Sequence, residues 1–511
     1  MITGEATTPA ASTTVTGAPP PPPGLSRAPT MAGIAMAGAL VAAVGLRFWT
    51  TSDLWLDEVL SVNIARLPLP SLFDALRQDG SPPLYYVLLH GWMEVFGTGD
   101  LAVRSLSGVF AVAALPVVWV LGRDVGGPRT AWAALVLVAS SPFAVRYATE
   151  ARMYSLLVLL TAIGAVATRR ALTRPTRPAL AAVAATSGLL LLTHYWAFYL
   201  VLIVVAWLGA CSWRSADRGA QMSVLAAVAA GALLFLPWLP TMLFQLAHTG
   251  TPWGRPPTFV ALVDTAVAFG GGDTVRGWSL TIVLTALIAL GLLRRPQARP
   301  LAVAWLGTLA LAIATSWLIG SAFAIRYTAV VLVPFLVLAA HGVGALANAR
   351  GRAAVLVFAA AIGLYGASLD INRNRTQAGE IGRALAGAAR PGDLVAYCPD
   401  QLGPAVSRLA PAGLVHLTYP GGASPTRVDW RDYGARNRAG DPGGFADQLV
   451  IEAGRDRAVW LVWMPGYRTL GDDCDQLNEE LAAIRPGGRR VVTRNPERYG
   501  ERADLWRYPA P

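Results

Sequence analysis

The stretch Leu54-Trp55-Leu56-Asp57-Glu58 stands just beyond the first long apolar run of the chain, Met31 to Trp49. Downstream of it comes Gly80-Ser81-Pro82-Pro83-Leu84-Tyr85-Tyr86. A helix rising 1.5 Å per residue needs about 20 apolar residues to cross a hydrocarbon core, and the run before the acid pair has that length. Two carboxylates behind a tryptophan therefore stand where the chain leaves a membrane. On a helix they point about 100° apart and on a strand to opposite faces, so Asp57 and Glu58 are expected to do different jobs.

Composition extends this reading to most of the chain. With 54% hydrophobic residues, 14% charged residues and a mean hydropathy of +0.46, the 511 residues fall outside the soluble globular range. Apolar segments at 31–49, 102–121, 129–146, 153–169, 179–193, 196–212, 221–240, 277–293, 300–319, 327–347 and 353–369 predict a polytopic α-helical membrane protein of about eleven spans. The chain has no lysine, so all 42 basic residues are arginine. Arg123 and Arg129, Arg169 to Arg177, Arg214 and Arg218, Arg294 to Arg299, and Arg350 and Arg352 all fall in loops on one side. The positive-inside bias makes that side, with the N-terminus, cytoplasmic. It also accounts for the net charge of +11, and no soluble basic surface is left for a nucleic acid. Asp57, Glu150, His194 and Arg326 then share the outer face.

Residues 1–30, rich in Thr, Ala and Pro, read as a disordered cytoplasmic tail with no cleavable signal evident. The transmembrane domain is expected over 31–369, with a long first outer loop at 50–101. In that loop 61–78, interrupted by Pro68 and Pro70, and 83–96 read either as amphipathic helices lying in the interface or as a shallow hairpin packed on the other spans. Another outer loop, 237–257, precedes a short apolar piece at 258–269 that re-enters the interface. Residues 370–511 change character. Apolar runs at 394–397 and 458–463 read as buried strands, and 376–389 and 474–484 as helices, giving an extracytoplasmic α/β domain. No glycine-rich phosphate loop is present there to suit a nucleotide sugar. Cys398 and Cys474 both lie in this domain, either as a disulfide or as two unconnected thiols, while Cys211 lies beside an Arg-rich loop.

Three further motifs stand at outer helix ends: Arg146-Tyr147-Ala148-Thr149-Glu150-Ala151-Arg152-Met153-Tyr154, Thr193-His194-Tyr195, and Ile325-Arg326-Tyr327. Arginines on the outer side run against the usual bias and invite a function. A carboxylate suits removal of a hydroxyl proton, and an arginine fork suits a phosphate. Arg152 has three readings: a pair with Glu150, a pair with Asp57, or a contact to substrate. Arg326 either binds a lipid-linked phosphate or snorkels to headgroups. Tyr85 and Tyr86 read as interface anchors or substrate contacts, and His194 as a hydrogen-bonded structural residue or a substrate contact. None of the five histidines has paired metal spacing, so no metal and no cofactor is expected, with a carboxylate-bound divalent cation left open.

Together these motifs resemble the polyprenyl-phosphate-sugar glycosyltransferases of the GT-C fold, the broad family of protein O-mannosyltransferases and lipid A aminoarabinose transferases. The resemblance covers roughly residues 31 to 370. It implies Asp57 as general base with Glu58 in support, Arg326, Tyr327 and Arg152 at the donor phosphate, and Tyr85, Tyr86, Glu150, Tyr154, His194 and Tyr195 at the substrates. Ser81 stands where the family often has the His of His-Pro-Pro. The implied reaction is inverting transfer of a sugar from a polyprenyl-phosphate donor to a cell-envelope glycolipid or glycan. Mannose is the sugar implied by likeness to actinobacterial enzymes. Pentose transfer, protein O-mannosylation and, further off, lipid-linked sugar transport are the alternatives.

Overall fold

The computed structural model describes residues 1, 4, 31–214, 218–250, 256–320 and 323–511, so the expected tail lies outside the described residues apart from Met1 and Gly4. Among the described residues eight helices are long and apolar enough to cross a membrane, and the protein is multi-pass. The longest of them, Asp100–Ala139, is broken at Gly127, which adopts φ +79, and Pro128 follows as the first residue of the second arm. A Cβ on Gly122 would come within 2.9 Å of the Ala131 Cα, so the two arms fold back on one another. Counting these arms separately, with the shorter apolar helices Met31–Leu46 and Arg177–Leu191, gives the eleven segments expected. Ala261–Gly270 is the short apolar piece expected to re-enter.

Close backbone approach holds the bundle together. A Cβ on Gly342 would lie 1.9 Å from the Leu287 carbonyl, and one on Gly231 would lie 2.1 Å from that of Ala184. Lipid tails give helices no hydrophobic drive to associate, so small residues and van der Waals contact carry the interfaces. At the centre runs Ile325–Ala345, buried along its whole apolar window. It begins as a 3₁₀ turn at Ile325–Val331 and continues as the helix Leu332–Ala345.

The Arg-bearing loops collect at one end of the bundle. There Arg170 pairs with Asp124 at 3.5 Å, and the His341 Nε2 lies 3.3 Å from the Arg295 carbonyl. At the other end, Arg47 is buried and donates to the carbonyls of Ala43, Val138 and Ala139 at 2.6 to 3.0 Å. It thereby satisfies the last carbonyls of two helices with a cation where the helix dipole is negative.

The first long loop holds three helices, Leu56–Ala65, Leu69–Asp79 and Leu84–Phe96. The expected single helix over 61–78 is corrected to two. Pro68 sits in extended geometry (φ −53, ψ 145), and Pro70 opens the next helix, so no continuous hydrogen-bond ladder passes them. Gly80, at φ +89, ends the second helix with its N–H on the Leu76 carbonyl.

Beyond the last span, Ala349–Ile371, lies a five-stranded sheet: β1 (Leu394–Cys398), β2 (Val415–Thr418), β3 (Val459–Trp463), β4 (Arg489–Val492) and β5 (Asp504–Tyr508). The order is β2-β1-β3-β5-β4, with β1 parallel to β2 and β3, and β5 antiparallel to β3 and β4. Alternation along the strands divides the side chains between two cores. Val395, Tyr397, Trp460 and Val462 share a cluster with Ile381, Leu385, Leu402 and Val406 of the helices Ala378–Ala388 and Leu402–Leu409, and this cluster is continuous with the core of the membrane helices. Leu394, Ala396, Val459 and Leu461 face the helices Pro442–Ala453 and Asp473–Ile484. A disulfide joins Cys398 at the end of β1 to Cys474.

Gly342→Ala should lower the thermal midpoint of the detergent-purified chain, because overpacking a tight contact costs about 1–3 kcal/mol. Gly366→Ala, whose Cβ would meet nothing nearer than 3.7 Å, should leave the midpoint in place. Equal midpoints for the two variants would rule out close packing at Gly342.

Candidate active site

The site begins with a buried charge. Glu58, in the first turn of the Leu56–Ala65 helix, is 0% exposed. Arg104 grips it with both arms of its fork, Nε to Oε1 at 2.7 Å and Nη2 to Oε2 at 2.6 Å. The Ala151 N–H adds a bond of 2.9 Å to Oε1, and Arg375 Nη1 stands 3.7 Å from Oε2. Arg104 also donates to the carbonyls of Ser52 and Asp53, and Arg375 to the carbonyl and hydroxyl of Thr149. Glu150, equally buried, lies 3.6 Å from Arg146 and 3.8 Å from Arg375, and Arg146 reaches Asp370 at 2.9 Å. Glu58 and Glu150 thus belong to one ionic lattice behind the site.

Asp57 turns the other way. Its Oδ2 lies 3.6 Å from Arg326 Nη2, at the start of the central helix. Arg152 Nη1 donates to the Asp57 carbonyl (3.2 Å), the Ser61 hydroxyl (3.0 Å) and the Tyr86 hydroxyl (3.4 Å). Of the three readings of Arg152, the structure shows its guanidinium on the Asp57 carbonyl, while with Glu150 it shares a backbone bond, the Arg152 N–H on the Glu150 carbonyl at 2.7 Å. Tyr86 in turn donates to Asp79 at 2.9 Å. The Arg326 guanidinium lies 6.0 Å from the Trp55 ring and 5.5 Å from Tyr327, whose ring is 4.9 Å from His194. Tyr154 lies 6.1 Å from His194 and within electrostatic reach of Arg326, Arg152 and Asp57. Asp57, Arg152, Arg326, Tyr86, Tyr154, His194 and Tyr327, distant in sequence, therefore converge.

Three expected substrate contacts point elsewhere: Glu150 belongs to the lattice behind the site, and Tyr85 and Tyr195 are engaged on other partners. Tyr85 is fully buried against Ser107 (2.9 Å), whose hydroxyl holds the Arg152 carbonyl, so it braces the loop from behind. Tyr195 bonds to Gln245 and accepts from the Trp238 indole at 3.1 Å, which removes it from the cluster. Within the cluster, Asp57 Oδ2, Arg152 Nε, Tyr154 OH and Trp55 Nε1 are buried with no hydrogen-bond partner. Buried polar atoms are nearly always satisfied, so this grouping marks where a polar ligand would sit. Among the described residues no group of three or more His, Cys, Asp or Glu is placed to hold a metal ion.

Burial alone would raise the Glu58 carboxyl, but Arg104, then Arg375 and the Ala151 N–H, hold it below the usual range. For Glu150 burial prevails over Arg375 and Arg146, and its carboxyl is raised. His194 is pushed down to about 3 by burial, with Arg152 and Arg326 adding to the effect, so it is neutral. Its Nδ1 accepts from the Trp196 N–H at 3.1 Å, which puts the ring proton on Nε2.

Reading the motifs missed five residues. Arg104 carries the same signal as Arg152, an arginine on the side that the bias leaves poor in them. Asp79 adjoins the Gly80–Tyr86 stretch, and Arg375 is one of several arginines after the last span. Tyr467 and Glu501 come from the C-terminal domain, and both feel the charge of Asp57. Glu501 lies in Asn495-Pro496-Glu497-Arg498-Tyr499-Gly500-Glu501-Arg502, which reads as a surface turn. Its backbone instead pairs with 375–377, with the Glu501 N–H on the Arg375 carbonyl at 2.7 Å. Its carboxyl comes within electrostatic reach of Thr376 and of the Leu56 N–H, where the helix of the acid pair opens. Burial, with Asp57 adding to it, pushes this carboxyl up to about 7.

Residues 80–240 match the family model described as dolichyl-phosphate-mannose-protein mannosyltransferase. The match takes in Tyr86, Arg152, Tyr154 and His194 but neither Asp57 nor Arg326. Among curated proteins, none matches the chain at a significant level. Among solved structures, ArnT from Cupriavidus metallidurans in the apo state is similar with a TM-score of 0.64 at 13% identity, over 93% of this chain and 97% of that one. The same protein bound to undecaprenyl phosphate gives 0.60 at 14% identity over the same shares. The oligosaccharyltransferase of Archaeoglobus fulgidus in the apo form gives 0.56 at 13% identity, over 90% of this chain and 73% of that one. At such identities the likeness is one of fold, and the chain has the GT-C fold that its motifs resemble.

A carboxyl that titrates higher in the fold than in the unfolded chain binds extra protons when folded, so it lends stability below its unfolded pKa and loses it as pH rises. For Glu501 that loss should run from about 4.5 to about 7. The thermal midpoint should fall less over this window in Glu501→Gln than in the unmodified chain. Glu150 acts in the same direction and Glu58 in the opposite one, and both are common to the two proteins. Parallel pH profiles would show that Glu501 does not titrate in this way.

Proposed function

We propose that the protein transfers a sugar from a polyprenyl-phosphate donor to a hydroxyl acceptor, with Asp57 as general base. The observation that carries the reading is the convergence of Asp57, Arg152 and Arg326 around buried polar atoms without hydrogen-bond partners. The fold supports it, since similar structures include ArnT bound to undecaprenyl phosphate.

In this reaction Asp57 takes the proton from the acceptor hydroxyl. That oxygen attacks the anomeric carbon opposite the phosphate, and the sugar–oxygen bond breaks with its electron pair passing to the phosphate. The anomeric centre is inverted. Arg326 neutralises the charge that develops on the phosphate, with Arg152 beside it. Arg326 Nη2 faces Asp57 Oδ2 at 3.6 Å. A donor phosphate, with more charge and a geometry suited to the fork, would draw Arg326 away and leave Asp57 to the acceptor. Neutral His194 would offer its Nε2–H to a donor oxygen without adding a third cation. Glu58 is a positioning residue that sets the helix, and Glu150 is part of the same support. Positive charge thus comes from arginines, and the scheme calls on no resident metal.

Mannose is the sugar we assign, supported by the description of the matching family model, with a glycolipid or glycan of the cell envelope as acceptor. The Arg-rich loops place their own end of the bundle in the cytoplasm in this reading. The site and the C-terminal domain then lie outside, where the Cys398–Cys474 disulfide suits an oxidising compartment.

Purified protein in detergent should transfer label from polyprenyl-phosphate mannose to envelope glycolipids. Folded Asp57→Asn should lose about 10²–10⁴-fold in rate, the range for a lost general base. Arg326→Ala should mainly raise the KM for the donor. Transfer with a pentose donor but not with mannose would discard the sugar and keep the class. Undiminished activity in Asp57→Asn would remove the reading.

A further inference from the structure

The C-terminal domain and the first long loop enclose a cleft of about 690 Å³, and nothing above uses it. That volume lies within the usual range of ligand sites, roughly 300–1,000 Å³. One wall is formed by the Leu56–Ala65 and Leu69–Asp79 helices, and the other by the segment from Thr418 to Gln448. Hydrogen bonds stitch the seam, with the Trp430 N–H on the Gln78 carbonyl (3.2 Å), the Asp432 N–H on that of His248 (2.7 Å) and the Asn63 side-chain amide on that of Thr426 (2.7 Å). The cleft is therefore built into the fold.

Its direction relative to the site follows from helix geometry. Leu60 and Ile64 line the cleft, at positions three and seven after Asp57 on the same helix. Residues spaced in this way share one helix face. Asp57 is thus the last member of the face that floors the cleft. At the same end Asp79 also lines it, and the Tyr86 hydroxyl links Asp79 to Arg152. A ligand lying along the cleft would run toward the base.

Its chemistry differs from that of the arginine side. Four carboxylates line it, Asp79, Asp400, Asp429 and Asp441, against Arg427 and Arg436. Asp429 is paired with Arg431 at 2.7 Å and with Arg436 at 3.4 Å, and Asp400 accepts from the Tyr433 hydroxyl at 2.5 Å. An anion entering here would meet an excess of negative charge. The amides Gln78 and Gln448 line opposite walls, with Leu60, Ile64 and Phe445 supplying apolar surface. Amides and carboxylates that bond hydroxyl groups, beside apolar side chains that cover ring faces, fit an uncharged polyhydroxylated chain.

We propose that this cleft is the acceptor subsite, and that it takes an uncharged, hydroxyl-rich glycan chain whose end reaches Asp57. This rests on the reading of Asp57 as the base. The two substrates then divide by charge, the phosphate to the arginines and the glycan to the cleft.

The test is calorimetric titration of the detergent-purified full chain with linear tetraoses of mannose, arabinose, glucose and galactose, each alone. A terminally phosphorylated mannotetraose and the cationic tetraose of glucosamine serve as charged counterparts. At least one neutral tetraose should bind, and more tightly than either charged one. Gln448→Ala and Gln78→Ala, on opposite walls, should each weaken it roughly 2–10-fold, as the loss of one hydrogen bond does. Gln448 is exposed, so its substitution leaves the core intact, and an unchanged thermal midpoint would confirm this. No binding of any neutral tetraose, tighter binding of a charged one, or full affinity in both variants would overturn the proposal. Binding here requires no donor and no transfer. A chain that binds a tetraose but transfers nothing would keep the cleft and lose the reaction, whereas transfer without tetraose binding would do the reverse.

Discussion

Everything near the site depends on how one buried carboxylate is compensated. Glu58 is sealed from solvent, and an unpaired ion in that position would cost several kcal/mol. The compensation comes from three separate parts of the chain: Arg104 at the start of a span, the Ala151 N–H in the loop before another, and Arg375 just past the last. A buried pair is weak evidence of net stability, because desolvation offsets its attraction. Its effect here is geometric, since the charges are satisfied only if these segments meet in one arrangement. With Glu58 fixed inward, Asp57 is carried about 100° around the helix toward Arg326. One member of the acid pair sets the frame, and its neighbour is left for chemistry.

Much of this was legible in the sequence, and the parts that were not have physical reasons. Spans were legible because about 20 apolar residues admit few other fates in a membrane. Arg152 and Arg326 stood out because they break the charge bias. The split at Pro68 was within reach, since two prolines spaced so closely leave a helix no ladder to follow. Other features depend on contacts between distant segments. Glu501 occupies a run of polar and turn-forming residues that looks solvated, and only the pairing of its backbone with 375–377 carries it to the Leu56 N–H. Tyr85 and Tyr86 are adjacent and identical in type, and helix rotation sends one behind the loop and the other toward Asp79. Strand β2, with its half-buried Val-His-Leu-Thr, offers no apolar run to notice.

The C-terminal domain is part of the same body as the membrane helices. Alternate residues of β1 and β3 share a cluster with the helices Ala378–Ala388 and Leu402–Leu409, and that cluster runs on into the core of the membrane helices. Tyr467 and Glu501 reach toward Asp57 from it, and Arg375 joins the lattice at its root. Residues that look peripheral in the sequence thereby help to set the position and charge of the acid pair.

This continuity bears on how two unlike substrates would meet at one carboxylate. A polyprenyl phosphate brings charge and a greasy tail, and a glycan brings hydroxyl groups with no need of lipid. A single pocket suited to both would have to be cationic and carboxylate-rich at the same spot, and its charges would cancel. Placing the arginines at the mouths of membrane helices, and the paired carboxylates between the first loop and the C-terminal domain, avoids that conflict. The two environments share the Leu56–Ala65 helix, with Asp57 in its first turn and Leu60 and Ile64 further along. The buried lattice around Glu58 anchors that helix, so the position of Asp57 is set by contacts within the protein.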